Sequence, residues 1–135
     1  MTIDHNILGY LAKEESFSDK AFIVKEGSGG HWVYVIIEGK VKVKKNTPKG
    51  LVTIDALKEG DIFGEMVLWQ SGQEARTASV IADGPVKVGV LDSEQLLRDY
   101  ETISPRLKSL LRSLIMRLDN TTKKAVVMAV QAREK

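Results

Sequence analysis

The residues with the most chemical potential lie between Gly60 and Val80. Gly60-Asp61 reads as a turn, Gly64 permits a close backbone approach, and Glu65–Leu68 can form one turn of helix. Free N–H groups at such a helix start point outward together, which is an anion-binding geometry. Eleven positions after Glu65, Arg76 offers a planar guanidinium fork that matches phosphate. Glu65, when ionised, only accepts hydrogen bonds and so suits sugar hydroxyls. A carboxylate and a guanidinium converging on one pocket would hold a molecule that carries both hydroxyl and phosphate. The pair alone leaves a plainer alternative open, a surface ion pair of little energetic consequence.

The rest of the composition narrows the chemistry. The chain has 135 residues, no Cys and two His, His5 and His31. Disulfides, thiolate nucleophiles, iron–sulfur clusters and Cys-type zinc sites are excluded, and two His are too few for an all-His metal site. Asp61 reads as a turn former rather than a catalytic carboxylate, and His31 as an exposed turn residue. Trp32 and Trp69 read as packing residues rather than base-stacking ones. No Ser-His-Asp set or paired carboxylates compete, so no enzyme activity, cofactor or metal is expected. Hydrophobic content of 43% and charged content of 28% fit a globular protein, and the length fits one domain, 1–135. No apolar run reaches the ~20 residues of a membrane helix, and the N-terminus lacks the pattern of a signal peptide. A cytoplasmic location is expected. Net charge is +2 overall, but 104–135 carries +6 and the remainder −4. The basic C-terminal stretch could meet an anion such as nucleic acid; the plainer reading is a solvated helix face.

A binding segment of this kind needs a rigid frame. Ala21–Lys25, Trp32–Glu38, Lys40–Lys45, Leu51–Leu57, Thr77–Ala82 and Val86–Leu91 are short, rich in Val and Ile, and bounded by turn residues. Glu38-Gly39 and Asp83-Gly84-Pro85 are among the expected turns. Many short strands at even spacing predict a sandwich, jelly roll or barrel. A short helix is expected at 4–13, from the spacing of Ile7, Leu8 and Leu11, then the β region at about 20–91 and helices at about 93–132. Asp92 or Ser93 can cap the first C-terminal helix, and Ser104-Pro105 opens the second. In that long helix Leu107, Leu111, Leu114, Leu118, Thr121, Ala125, Met128 and Ala132 form a heptad seam, and Leu110 and Ile115 add a second apolar face. Two apolar faces predict two neighbours, the β frame and a second copy of the chain in a two-fold dimer.

Phe63-Gly64-Glu65 followed by Arg76-Thr77-Ala78-Ser79-Val80 resembles the phosphate-binding cassette of the cyclic nucleotide-binding domain family. The glycine-ended strands Phe22–Gly27 and Tyr34–Val41 and the two C-terminal helices extend the likeness over about 5–131. The resemblance implies a mainly β fold, an antiparallel jelly roll with a short N-terminal helix, a short cassette helix and C-terminal B and long C helices. It implies that Arg76 pairs with the cyclic phosphate of cAMP or cGMP and that Glu65 binds the ribose 2′-hydroxyl. Gly64, Met66 and Val67 would line ribose and phosphate, and Thr77 would add a phosphate or purine contact. Val43 and Ile54 would sandwich the base, with Val24 a weaker candidate. Thr121 and Thr122 match C-helix positions that reach the adenine, one residue from each subunit of a dimer. Thr121 is also the polar member of the aliphatic seam, which a base amino group would satisfy; a bond back to its own helix would do so too.

Two departures from the family pattern stand out. The stretch between Glu65 and Arg76 is a residue or two longer than in many members, and no helix-turn-helix domain follows, so DNA binding is not carried over. The expected protein is a stand-alone sensor module, dimeric through its C-terminal helix and acting on an effector protein. The competing expectation is a dimerisation scaffold of the same fold that no longer binds nucleotide. An enzyme on a similar jelly roll, such as a cupin, would need a cluster of metal-binding His that this chain lacks.

Overall fold

Valine- and isoleucine-rich runs pair into one antiparallel sheet in the computed structural model, which describes residues 3–27, 32–64 and 78–133. In chain order the elements are α1 (His5–Leu8), β1 (Leu11–Phe17), β2 (Phe22–Val24), β3 (Val33–Thr47), β4 (Gly50–Lys58), β5 (Ile62–Phe63), β6 (Ser79–Leu91), α2 (Ser93–Thr102) and α3 (Pro105–Arg133). β3 and β6 are the long central pair. β1 and β2 follow one another along the outer edge of β6, and β4 and β5 along the outer edge of β3. This is the expected class, antiparallel β with flanking helices, although the sheet formed by the described strands is open.

A crease crosses all four lanes of this sheet. The β3–β6 ladder shifts register twice, on either side of Glu38, and the second shift spans Gly39 opposite the stretch that holds Gly84-Pro85. On the outer lanes the same line is marked by Asp19-Lys20, between β1 and β2, and by Glu59-Gly60, between β4 and β5. Lys20, Gly39, Gly60 and Gly84 all have positive φ, from 68° to 91°. Cross-lane bonds stitch the line together: Lys20 N to Ala82 O at 2.9 Å, Asp19 Oδ1 from Gly84 N at 2.7 Å, and Gly60 N to Ile36 O at 2.9 Å. Gly39 is needed here on two counts. Its φ is +91°, and a Cβ would stand 2.5 Å from the Pro85 carbonyl oxygen. Turns are expected at Glu38-Gly39 and at Asp83-Gly84-Pro85; the structure instead carries β3 and β6 through both sites as continuous strands. Bulge-type irregularities bend a strand without ending it.

The sheet is covered on both faces where β3 begins. Tyr34 and Ile36 enter a cluster with Val41, Phe63, Val80, Ala82, Val86, Val88 and Val90. Val33 and Val35 point the other way, against Ile3 and Leu91 with half-buried Ile7, Leu8, Tyr10 and Leu96. A continuous apolar run is what two buried faces require.

The N-terminal segment departs from expectation. The helix spans only His5–Leu8 rather than 4–13, and the chain is already β from Leu11, before the expected start near 20. Asp4 caps α1 by accepting from Asn6 N at 2.9 Å. Gly9 ends it, and β1 then gains a full ladder on β6, from Leu11 opposite Leu91 to Phe17 opposite Val86. A free strand edge with a ladder to fill outcompetes a marginal helix of three turns.

The C-terminal helices start as expected. Asp92 Oδ1 accepts from Glu94 N and Gln95 N, both at 3.1 Å, and Ser104 Oγ accepts from Leu107 N at 3.2 Å with Pro105 at the first helical position. α3 packs along β4. Its half-buried positions are Lys108, Leu111, Ile115, Asp119, Ala125, Val126 and Val130. Of the expected second face, Ile115 is half-buried but Leu110 is exposed. Most of the heptad seam is exposed, with Leu107, Leu114, Leu118 and Met128 between 44% and 68% accessible. No helix among the described residues is long and apolar enough to cross a membrane.

Candidate functional site

β5 and β6 bracket the segment that carries the expected chemistry. β5 pairs Phe63 opposite Tyr34, whose rings stack with centroids 4.9 Å apart, and this aromatic anchor holds the point of departure. Gly64 follows β5 at once with φ +86°, in the left-handed region that favours glycine. The return is fixed by β6, whose ladder to β3 begins at Ser79 opposite Lys44. Glu65, Met66, Val67, Arg76 and Thr77, and with them the expected cassette helix, lie outside the described residues.

One rung in from Ser79 three valines stand abreast across the sheet. Val24 on β2 pairs with Val80 on β6, which pairs with Val43 on β3. Val24 and Val80 are buried, and half-buried Val43 packs against the same cluster. Ile54 is placed by a bulge. Val43 faces Asp55 and Lys44 faces Thr53, so Ile54 is the extra residue on β4. It is half-buried between exposed Thr53 and Asp55. The structure therefore brings Val43 and Val24 together and sets Ile54 on the adjoining strand.

Thr121 is exposed, and its Oγ1 donates to the Arg117 carbonyl at 2.9 Å. It is thus satisfied by its own helix. The side chain of Thr122 lies outside the described residues. Asp61 takes the turn role expected of it: its Oδ2 accepts from Lys58 N at 2.9 Å, and its N–H donates to the Lys58 carbonyl at 3.0 Å. Trp32 is exposed, with Lys13 Nζ 5.7 Å from its ring centroid.

One polar cluster beside the valine row had no signal in the sequence. Glu26, in the turn after β2, donates its N–H to Ser79 Oγ at 2.8 Å. Its carboxylate accepts from Asn46 N at 2.9 Å and pairs with Lys45 Nζ at 3.2 Å. A second missed contact joins the N-terminal segment to α2, where the Tyr10 hydroxyl donates to Asp99. That bond, with burial and the nearby negative charge, raises the Tyr10 pKa above its ordinary value.

An antiparallel frame whose β5 and β6 flank the stretch 65–77, with a long helix laid along β4, is a β domain with flanking helices. The chain belongs to the cyclic nucleotide-binding domain family, whose model matches residues 14–102. It is 32% identical over 105 residues to the cyclic nucleotide-gated channel beta-3 of Mus musculus, covering 75% of this chain and 15% of the channel. Among solved structures it is similar to the EAL enzyme Bd1971 in its cAMP-bound form, with TM-score 0.73 and 28% identity over 90% of this chain and 31% of the enzyme. The fold is also that of the Thermus thermophilus catabolite activator protein, with TM-score 0.67 and 24% identity over 96% of this chain and 58% of that one. The chain thus spans a minor part of the channel and the enzyme, and little more than half of the activator.

Proposed function

We propose that this chain is a cyclic nucleotide-binding regulatory module for cAMP or cGMP. The observation that carries the reading is the family match across 14–102, which includes Gly64-Glu65 and Arg76 with the residue types that phosphate and ribose require. A solved neighbour at 28% identity is described in both cAMP-bound and cGMP-bound forms, which supports the ligand class. In this reading Arg76 pairs with the cyclic phosphate and Glu65 accepts from the ribose 2′-hydroxyl. Gly64, Met66, Val67 and Thr77 line the ribose and phosphate. Val43 and Ile54, with Val24, contact the base. Ligand then favours one arrangement of α2 and α3 through its differential affinity for two states, and an effector protein reads the change.

The exposed apolar stripe Leu107–Leu114–Leu118 on α3 supports a homodimer through that helix. In such a dimer Thr121 and Thr122 would approach the base from each subunit, Thr121 exchanging its bond to the Arg117 carbonyl for one to ligand.

Calorimetric titration of nucleotide-stripped protein with cAMP and with cGMP, beside Arg76→Ala, tests the reading. Loss of a charge-assisted phosphate contact should cost about 2–5 kcal/mol, ~30-fold or more in affinity. Binding of either nucleotide that the variant abolishes supports the sensor. Absence of heat and of thermal shift with both nucleotides, on folded protein, overturns it in favour of a dimerisation scaffold.

A further inference from the structure

We propose that Glu26 and Ser79 are positioning residues for the nucleotide-binding segment, a polar staple that fixes where the segment carrying Arg76 rejoins the sheet. The inference rests on the function proposed above. Ser79 is the first residue of β6 and the last rung of its ladder with β3. Arg76 precedes it by three residues, a tether of about 10 Å at full extension. Backbone pairing alone would leave this end rung free to fray. Ser79 is instead 3% exposed, and its Oγ takes the Glu26 N–H at 2.8 Å.

Glu26 is itself held. Its carboxylate takes the Asn46 N–H at 2.9 Å and Lys45 Nζ at 3.2 Å, both at the far end of β3. One residue thereby ties three stretches of chain, the turn after β2, the end of β3 and the start of β6. The ion pair is partly exposed and contributes little by itself. The two backbone N–H bonds set the geometry, because each fixes one segment against another at a single distance. A guanidinium fork gains from two parallel bonds to phosphate only when its backbone is held in register, and in metal sites the groups that hold a ligating side chain control about ten- to a hundredfold in affinity.

The test uses Ser79→Ala, Ser79→Thr and Arg76→Lys, titrated calorimetrically with cAMP and cGMP beside the unmodified protein, with thermal melts of each ligand-free protein. Ser79→Ala should lower affinity about tenfold, and Ser79→Thr, which keeps the acceptor, should restore most of it. In the Arg76→Lys background the added cost of Ser79→Ala should fall below about twofold, because the staple acts through the Arg76 fork. Equal losses in both backgrounds, or an unchanged affinity in Ser79→Ala, overturn the proposal. Should Ser79→Ala fail to fold, Glu26→Ala frees the same turn from its more exposed side and must show the same dependence on Arg76. Nucleotide binding by the unmodified protein with no effect of these changes refutes the staple alone; no binding by the unmodified protein refutes the functional reading and the staple with it.

Discussion

Tyr10→Phe is the sharpest probe of how the N-terminal segment holds α2. Tyr10 touches this helix at two levels. Its carbonyl accepts from Asp92 N at 2.7 Å, at the N-cap, and its hydroxyl donates to Asp99 Oδ2 nearly two turns further on. Asp99 Oδ1 is occupied by Gln95 Nε2 at 2.9 Å. Phenylalanine keeps the ring and the backbone bond and removes only the hydroxyl. A hydrogen bond to a charged group contributes about 1.5–3 kcal/mol. Both partners here are half-buried, so the lower end applies, about 1.5 kcal/mol, or a fall in Tm of ~5 °C for a domain of this size. Urea and thermal unfolding followed by circular dichroism measure it. The pH dependence adds a second check. The Tyr10 pKa is raised in the folded protein by its bond to Asp99, by burial and by the Asp99 charge. The folded state thus favours the protonated phenol. That contribution is fully present below the ordinary tyrosine value of about 10 and is lost as pH rises through the folded value. The difference between wild type and Tyr10→Phe should stay level from neutral pH to about 9 and narrow above 10. A variant within about 0.3 kcal/mol of wild type at neutral pH, or a gap that widens in alkali, refutes the reasoning.

Two further outcomes follow from the fold. Gly39→Ala forces a Cβ to within 2.5 Å of the Pro85 carbonyl oxygen at φ +91°, whereas Gly84→Ala at φ +85° meets nothing within 4 Å; chemical denaturation should show a loss of about 1 kcal/mol at Gly84 and at least twice that at Gly39. Leu114→Glu with Leu118→Glu changes two side chains that are each 48% exposed, so the circular dichroism spectrum should stay native, and in the dimer proposed above sedimentation should shift from dimer to monomer. A wild type that sediments as a monomer at every concentration refutes the dimer.

The sequence was most legible where one segment carried its own pattern. The run Lys40–Lys45 signals a strand and lies within β3, and Asp92, Ser104 and Pro105 mark two helix starts that the structure reproduces. β1 was illegible for a physical reason. Its residues Leu11–Phe17 include Lys-Glu-Glu-Ser in the middle, and an outer strand held by its backbone ladder needs no apolar alternation. Gly39 and Gly84 signal turns because glycine marks a turn as readily as a bend within a strand, and only the partner strand across the sheet distinguishes the two. The Glu26–Ser79 bond joins positions 53 apart, and no local spacing announces such a pair. Gly64, Val43, Ile54 and Val24 are named as ligand contacts from the family likeness alone, and the bulge that sets Ile54 on β4 is something no periodicity predicts.

The crease also bears on synthesis. Its four marks, near positions 20, 39, 60 and 84, are spread along the chain, so no short stretch contains the bend. A ribosome delivers ~5–20 residues per second, and the β3–β4 hairpin emerges complete while β6 is still unmade. During those seconds the 15-residue β3 offers an unpaired edge that already carries Tyr34, Val35 and Ile36, the kind of surface on which nascent chains stick to one another. The late arrival of Asp83-Gly84-Pro85 both closes that edge and folds the sheet, so protection from aggregation and the final shape of the binding frame are gained in one step.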